Sequence, residues 1–225
     1  MLPMGVPLPA IQAVFEVPLD RWILPCAASF LLGAVPFAWI LGRLRGIDIR
    51  ELGSGNIGAT NLVRNAGFPL GLTAGALDVL KGFLPVVAAQ TGYFLGGDYL
   101  PLFIGVFAVF GHCFTPFLRF RGGKGVATMA GALLALRPDV LLLLAAVWAG
   151  SLAVLRVVGI ASVTAACAAV VIGATELEAL VAGEVAPDSI LGAVLCLLGL
   201  LVVLRHRSNI SAYLSRTELV PQEKR

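Results

Sequence analysis

Long apolar runs, interrupted by short polar stretches, dominate this chain. The runs predict seven helices, at about 22–42, 67–95, 100–118, 125–136, 139–155, 157–175 and 188–204. Most approach the roughly 20 residues that a tilted helix needs to cross about 30 Å of hydrocarbon. The fourth is only about twelve residues long. Arg137-Pro138-Asp139 ends it, because proline removes a backbone donor and the two charges prefer water. A helix that short crosses only if it starts inside the bilayer or the bilayer thins around it. The pattern therefore predicts an all-α integral membrane protein of seven transmembrane helices, one of them short.

Composition narrows this further. With 225 residues, 59% hydrophobic and 13% charged, and a mean hydropathy of +0.95, the chain is too apolar for an ordinary soluble domain. Residues 1–225 read as one membrane-embedded domain. Met1 to Pro18 lacks a basic leading region and carries prolines at 3, 7, 9 and 18, so residues 1–20 read as a retained, non-cytoplasmic lead-in. Cys26, Cys113, Cys167 and Cys196 stand singly in apolar runs and read as small buried hydrophobes.

The cations choose an orientation. Arg43, Arg45, Arg50 and Arg64 fall in the first loop, Arg119, Arg121 and Lys124 in the third, and Arg156 after the fifth helix. Arg205, Arg207, Arg216, Lys224 and Arg225 follow the last, so thirteen of the sixteen Lys and Arg share one side. The positive-inside rule makes that side cytoplasmic, with the N terminus outside and 205–225 as a cytoplasmic tail.

Three polar stretches converge on that face: Gly53 to Gly67, Gly111 to Gly131 and Arg205 to Glu218. In the first, Gly55 and Gly58 can expose backbone N–H groups, Ser54, Asn56, Thr60 and Asn61 are neutral donors, and Arg64 is a charged fork for phosphate. Its formal G-x-G-x-x-G at Gly53, Gly55 and Gly58 leaves no room for a βαβ unit between membrane helices, which argues against a dinucleotide fold. In the second, Gly122-Gly123-Lys124-Gly125 is not a Walker loop, because glycine rather than Ser or Thr follows Lys124. A turn of that kind opening a helix still aims N–H groups and an ammonium at an anion. In the third, His206 and Asn209 can reach the same face. Asp78 and Lys81, three apart, can pair within the second helix, and His112 lies inside the third. Two histidines with no neighbouring Cys or carboxylate cluster give no metal site, and the chain shows no cofactor motif.

With those residues in view, the chain resembles the bacterial acyl-phosphate-dependent glycerol-3-phosphate acyltransferase family over Phe30 to Glu218. The resemblance is carried by GAVPFAWILGRLRGIDIRELGSGNIGATN, by Leu77-Asp78 with Lys81-Gly82, by Gly111-His112 with FRGGKGVAT, and by RHRSNI with Thr217-Glu218. It implies transfer of a fatty acyl group from acyl phosphate to the 1-position of sn-glycerol 3-phosphate, giving lysophosphatidic acid and phosphate. It implies catalytic roles for Arg64, Lys124, His206 and Asn209. It also implies substrate- or phosphate-binding roles for Ser54, Asn56, Thr60 and Asn61, for the glycines of the first two loops (Gly55, Gly58, Gly122, Gly123, Gly125), and for Ser162 after the fifth helix. Thr115 and Pro116 depart from the pattern, since proline is expected one place earlier. Gly159 stands where serine is common, and Ala212 and Arg216 replace an expected arginine and glycine.

These readings predict a bacterial inner-membrane, multi-pass, monomeric enzyme that works on two phosphate compounds and binds no nucleic acid. No Ser-His-Asp elbow or reactive cysteine is visible, which points to direct transfer, with His206 or a donor phosphate oxygen taking the proton. The competing class is a transporter of phosphorylated solutes. Against it stand the absence of a visible inverted repeat and the crowding of polar groups at one surface.

Overall fold

Prolines and charges divide the apolar runs into helices in the computed structural model, which describes residues 20–92, 97, 99–181 and 187–215. The helices are α1 (Asp20–Ala34), α2 (Phe37–Leu44), α3 (Ala59–Ala66), α4 (Phe68–Gln90) and α5 (Leu100–Cys113). They continue with α6 (Val126–Leu136), α7 (Pro138–Leu155), α8 (Val158–Val181), α9 (Pro187–Arg205) and α10 (Arg207–Leu214). A short 3₁₀ turn spans Pro116–Leu118, and no strand occurs among the described residues. Pro69, Pro101 and Pro138 stand in the first turns of α4, α5 and α7, where a missing N–H leaves no bond unmade.

Five segments are long and apolar enough to cross a membrane: 21–44 (α1 with α2), 68–90, 100–118, 138–155 and 158–177. Residues 190–205 and 207–214 make a sixth only if the pair, bent by 53°, is taken as one. Of the two helices left, α3 is short and polar, and the apolar α6 has 11 residues, which at 1.5 Å each is about 16 Å, half the hydrocarbon thickness. Within the first expected span the chain breaks at Val35-Pro36, and the second ends at Gln90, short of 95. The expected lead-in at 1–19, and Arg216, Thr217, Glu218, Lys224 and Arg225, lie outside the described residues.

The exterior is what lipid requires. Leu24, Leu142, Val154 and Leu204 are each at least 68% exposed, in a chain with no shortage of buried apolar side chains. In water such a surface would drive association; against acyl chains it is neutral. Inside, Val109, Met129, Leu133, Leu144, Ala169 and Leu195 belong to one cluster joining α5 to α9.

The α4–α6 crossing shows why glycine is needed in this core. A Cβ at Gly82 would stand 2.1 Å from the Thr128 carbonyl oxygen, and one at Gly131 would stand 2.0 Å from that of Val79. The two backbones meet directly, which holds the short α6 upright against the long α4. Beside that crossing, Lys81 Nζ lies 2.8 Å from Asp78 Oδ1 and donates to the Val35 carbonyl at 2.8 Å, in the break between α1 and α2. Both charged side chains are buried. The pair that the i, i+3 spacing predicts therefore also binds the backbone at the helix break, where the Val35 carbonyl accepts from the Phe37 N–H at 3.1 Å as well as from Lys81.

Candidate active site

The first polar stretch folds around one side chain. Asn61, buried on α3, donates from Nδ2 to the carbonyls of Ile49, Leu52 and Asn56 at 2.8, 3.0 and 2.9 Å. Its Oδ1 accepts from the Ser54 N–H at 3.3 Å and from Asn65 Nδ2 at 3.1 Å. The entry to this loop is pinned by Asp48, which takes a bidentate bond from Arg50. That bond holds the Asp48 carboxyl well below the usual carboxylate range. Asn61 thus differs from the sequence expectation: its amide organises the loop.

The second stretch turns back on α5. Arg119 and Phe120 adopt left-handed backbone at φ 54° and 61°, which reverses the chain after the 3₁₀ turn. The N–H of Gly122 then donates to the Cys113 carbonyl at 3.2 Å and that of Gly123 to the His112 carbonyl at 3.0 Å. A side chain at Gly123 has no room, since its Cβ would stand 2.1 Å from His112 Nε2. Arg205 braces the other side, with Nε donating to the Gly123 carbonyl at 3.0 Å and Nη2 to that of Gly122 at 2.6 Å. These bonds correct the expectation that Gly55, Gly122 and Gly123 offer N–H groups to an anion. Gly55 donates to the Leu52 carbonyl at 3.0 Å, and all three shape loops instead. What the second loop presents is Lys124, whose Nζ donates to Oδ1 of Asn209.

The third stretch supplies that partner because α9 ends at Arg205 and α10 turns away by 53°. His206 sits in the break, buried, with Nδ1 2.8 Å from the Val202 carbonyl oxygen. A carbonyl can only accept, so Nδ1 carries the proton and Nε2 keeps a lone pair. Burial pushes the imidazole down to about 4, with Lys124 and Arg205 acting in the same direction, so it is neutral at pH 7.

Between the three stretches lies a cavity of about 240 Å³. Ser54, Asn56, Gly58, Thr60, Asn61, Arg64, Lys124, Gly125, Ser162, His206 and Asn209 all line it, whereas Gly55, Gly122 and Gly123 do not. Asp78 and His112 close its floor, with His112 Nδ1 3.6 Å from Asp78 Oδ1. Asp78 is the only carboxylate among the described lining residues, and Lys81 already faces it. Ser162 donates to the Val158 carbonyl at 2.9 Å and lies 3.2 Å from Trp148 Nε1, which donates to it.

Sequence reasoning missed Trp148, Gly159 and the brace at Arg205. A lone indole in an apolar run needs a partner for its N–H, and this was the signal for Trp148. A Cβ at Gly159 would stand 2.2 Å from Asn209 Nδ2, so the absence of a side chain there makes room for that amide.

An apolar groove of about 190 Å³ opens from the same place, walled by residues such as Met129, Leu133, Leu141, Leu144, Ala165 and Ala169 of α6, α7 and α8. Val126, Ala130, Trp148 and Ser162 line both spaces. A polar pocket thus continues directly into an apolar one.

Comparison with known proteins agrees with this arrangement. A family model described as glycerol-3-phosphate acyltransferase matches residues 23–216. A glycerol-3-phosphate acyltransferase of Bacillus cereus is 41% identical over 191 residues, 84% of this chain and 90% of the relative. One from Aquifex aeolicus is 37% identical over 190 residues, 84% of this chain and 94% of the relative. Among solved structures, PlsY, an integral membrane glycerol 3-phosphate acyltransferase, superposes in its glycerol 3-phosphate form with a TM-score of 0.72 and 35% identity. That match covers 86% of this chain and 92% of the other. Its lysophosphatidic acid form gives 0.68 and 34%. The chain belongs to the glycerol-3-phosphate acyltransferase family.

Proposed function

We propose that the protein transfers a fatty acyl group from acyl phosphate to the 1-hydroxyl of sn-glycerol 3-phosphate, releasing lysophosphatidic acid and phosphate. The observation that carries this reading is the continuity of a cation-lined cavity with an apolar groove. A phosphate and a hydrocarbon chain need those two environments side by side. Arg64 and Lys124 hold the phosphates, with Ser54, Asn56, Thr60, Ser162 and Asn209 as neutral partners, while the acyl chain lies along α6, α7 and α8.

The reaction needs little more than position. The 1-hydroxyl oxygen attacks the acyl carbonyl carbon, a new ester bond forms, and the bond from that carbon to the phosphate oxygen breaks. Acyl phosphate is already activated, so orientation and anion stabilisation supply most of the rate. His206 Nε2 accepts the hydrogen bond of the attacking hydroxyl and aims it. An imidazole with a pKa of about 4 holds a proton poorly, so the proton finishes on the departing phosphate. The transfer is direct, with no acyl-enzyme.

The enzyme sits in the bacterial inner membrane as a multi-pass monomer. Its N terminus is outside and its site faces the cytoplasm; α9 with α10 makes the sixth crossing, and α6, starting inside the bilayer, completes the seventh. The grouping of thirteen of sixteen Lys and Arg supports that orientation.

The test supplies purified protein in lipid with labelled glycerol 3-phosphate and either palmitoyl phosphate or palmitoyl-CoA. Lysophosphatidic acid and free phosphate should appear together with the first donor only. Product from the thioester alone would overturn the donor, and solute uptake into vesicles without any donor would favour a transporter.

A further inference from the structure

Beside the cavity lies a second, wider space of about 780 Å³. Ser54, Asn56 and Lys124 line both, so the wider space is a mouth leading to the cavity. It shares no lining residue with the apolar groove. Its walls carry Arg50, Arg121, Lys124, Arg205 and Arg207, and Glu51 is the one carboxylate among the described lining residues. Arg50 is bound to Asp48 and Arg205 to two backbone carbonyls. Arg121 and Arg207 are exposed, and no ion pair holds either among the described residues.

We infer that this basic mouth is the entry for the water-soluble phosphate substrate, and that Arg121 and Arg207 set its capture, so that the two substrates arrive by separate doors. The inference rests on the proposed function. A concave surface of one charge above a low-dielectric wall focuses field and raises the local concentration of a doubly charged ligand. Neither arginine lines the cavity where the reacting atoms meet, so both act before the chemical step. The apolar groove offers an acyl chain the opposite route, from the lipid side.

The test uses the full-length enzyme in nanodiscs of zwitterionic phosphatidylcholine at saturating palmitoyl phosphate. Glycerol 3-phosphate is varied at about 0.02 M and about 0.5 M salt, spanning weak and strong screening. For the double variant Arg121→Gln, Arg207→Gln, kcat/KM for glycerol 3-phosphate should fall about 5- to 10-fold at low salt. Its kcat and its KM for palmitoyl phosphate should hold, and the deficit should shrink at high salt. Glu51→Gln should move kcat/KM the other way, by about twofold. Arg45→Gln, which removes a cation outside the mouth, should change nothing. A double variant equal to wild type at both salt concentrations would overturn the mouth while leaving acyl transfer intact. A fall in kcat and in palmitoyl phosphate use together, indifferent to salt, would show a structural defect and overturn it equally. No turnover by the wild-type protein would overturn the function and the mouth together.

Discussion

The cavity and the groove share α6, α7 and α8 and differ in almost everything else. Arg64, Lys124, His206 and Asn209 face one, while Met129, Leu133, Leu144 and Ala169 face the other. Their boundary is narrow: Val126, Ala130, Trp148 and Ser162 belong to both. Drawing a palmitoyl chain out of hydrocarbon into water would cost on the order of 10 kcal/mol, at about 0.8 kcal/mol per methylene. A site that spans the boundary avoids that step, because the chain stays among apolar side chains while its head reaches the cations. Under the proposed function, the reaction centre is the seam between two solvents, not a pocket inside one of them.

The seam can be broken from either side. Its polar floor depends on Lys81, and Lys81→Met leaves Asp78 buried without its ammonium. That change should destabilise the protein by about 3–5 kcal/mol, read as a lower thermal midpoint in lipid or detergent. Lys124→Ala should leave the midpoint close to wild type. It should still lower kcat/KM about 10²- to 10³-fold, the usual loss for one preorganised anion donor, with Lys124→Arg recovering part of it. On the apolar side, Ala165→Leu narrows the groove without touching a polar group. The ratio of 16-carbon to 10-carbon donor turnover should drop about tenfold, while short donors react normally. The smallest expected effect is that of pH. An exposed histidine loses its lone pair near pH 6.5, whereas burial delays protonation of His206 to about 4. The His206 contribution to kcat should therefore stay flat as pH falls from 8 to about 5. An acid limb near 6.5 that vanishes in His206→Ala would contradict the buried, neutral imidazole.

The fold was legible where the physics is local. Runs of apolar residues announced the long helices but not the short α3 and α10 or the break between α1 and α2. Proline at 138 announced the α6–α7 break, and i, i+3 spacing announced the Asp78–Lys81 pair. The convergence of the three polar stretches was also legible, because Arg, Lys, His and Asn are retained in such a chain only where they are used. Legibility failed where two residues of one type take different tasks. Asn56 and Asn61 look alike in sequence, yet only tertiary closure decides that Asn61 turns inward to three carbonyls. The glycine N–H groups failed for the same reason: whether Gly122 and Gly123 face an anion or the end of α5 depends on where α5 stops. The bend at His206 had no clear signal, since neither proline nor glycine stands there. Arg205 reads as a helix-end cation until the loop it braces is seen beside it.

The most direct test of the seam is a crystal structure with a non-hydrolysable palmitoyl phosphonate and glycerol 3-phosphate bound together. The account predicts both phosphorus-bearing groups within reach of Arg64 and Lys124, the 1-hydroxyl against the acyl carbonyl, and the chain running past Val126 and Trp148 into the groove. A chain lying in the basic mouth, or a glycerol 3-phosphate held away from Lys124, would contradict it.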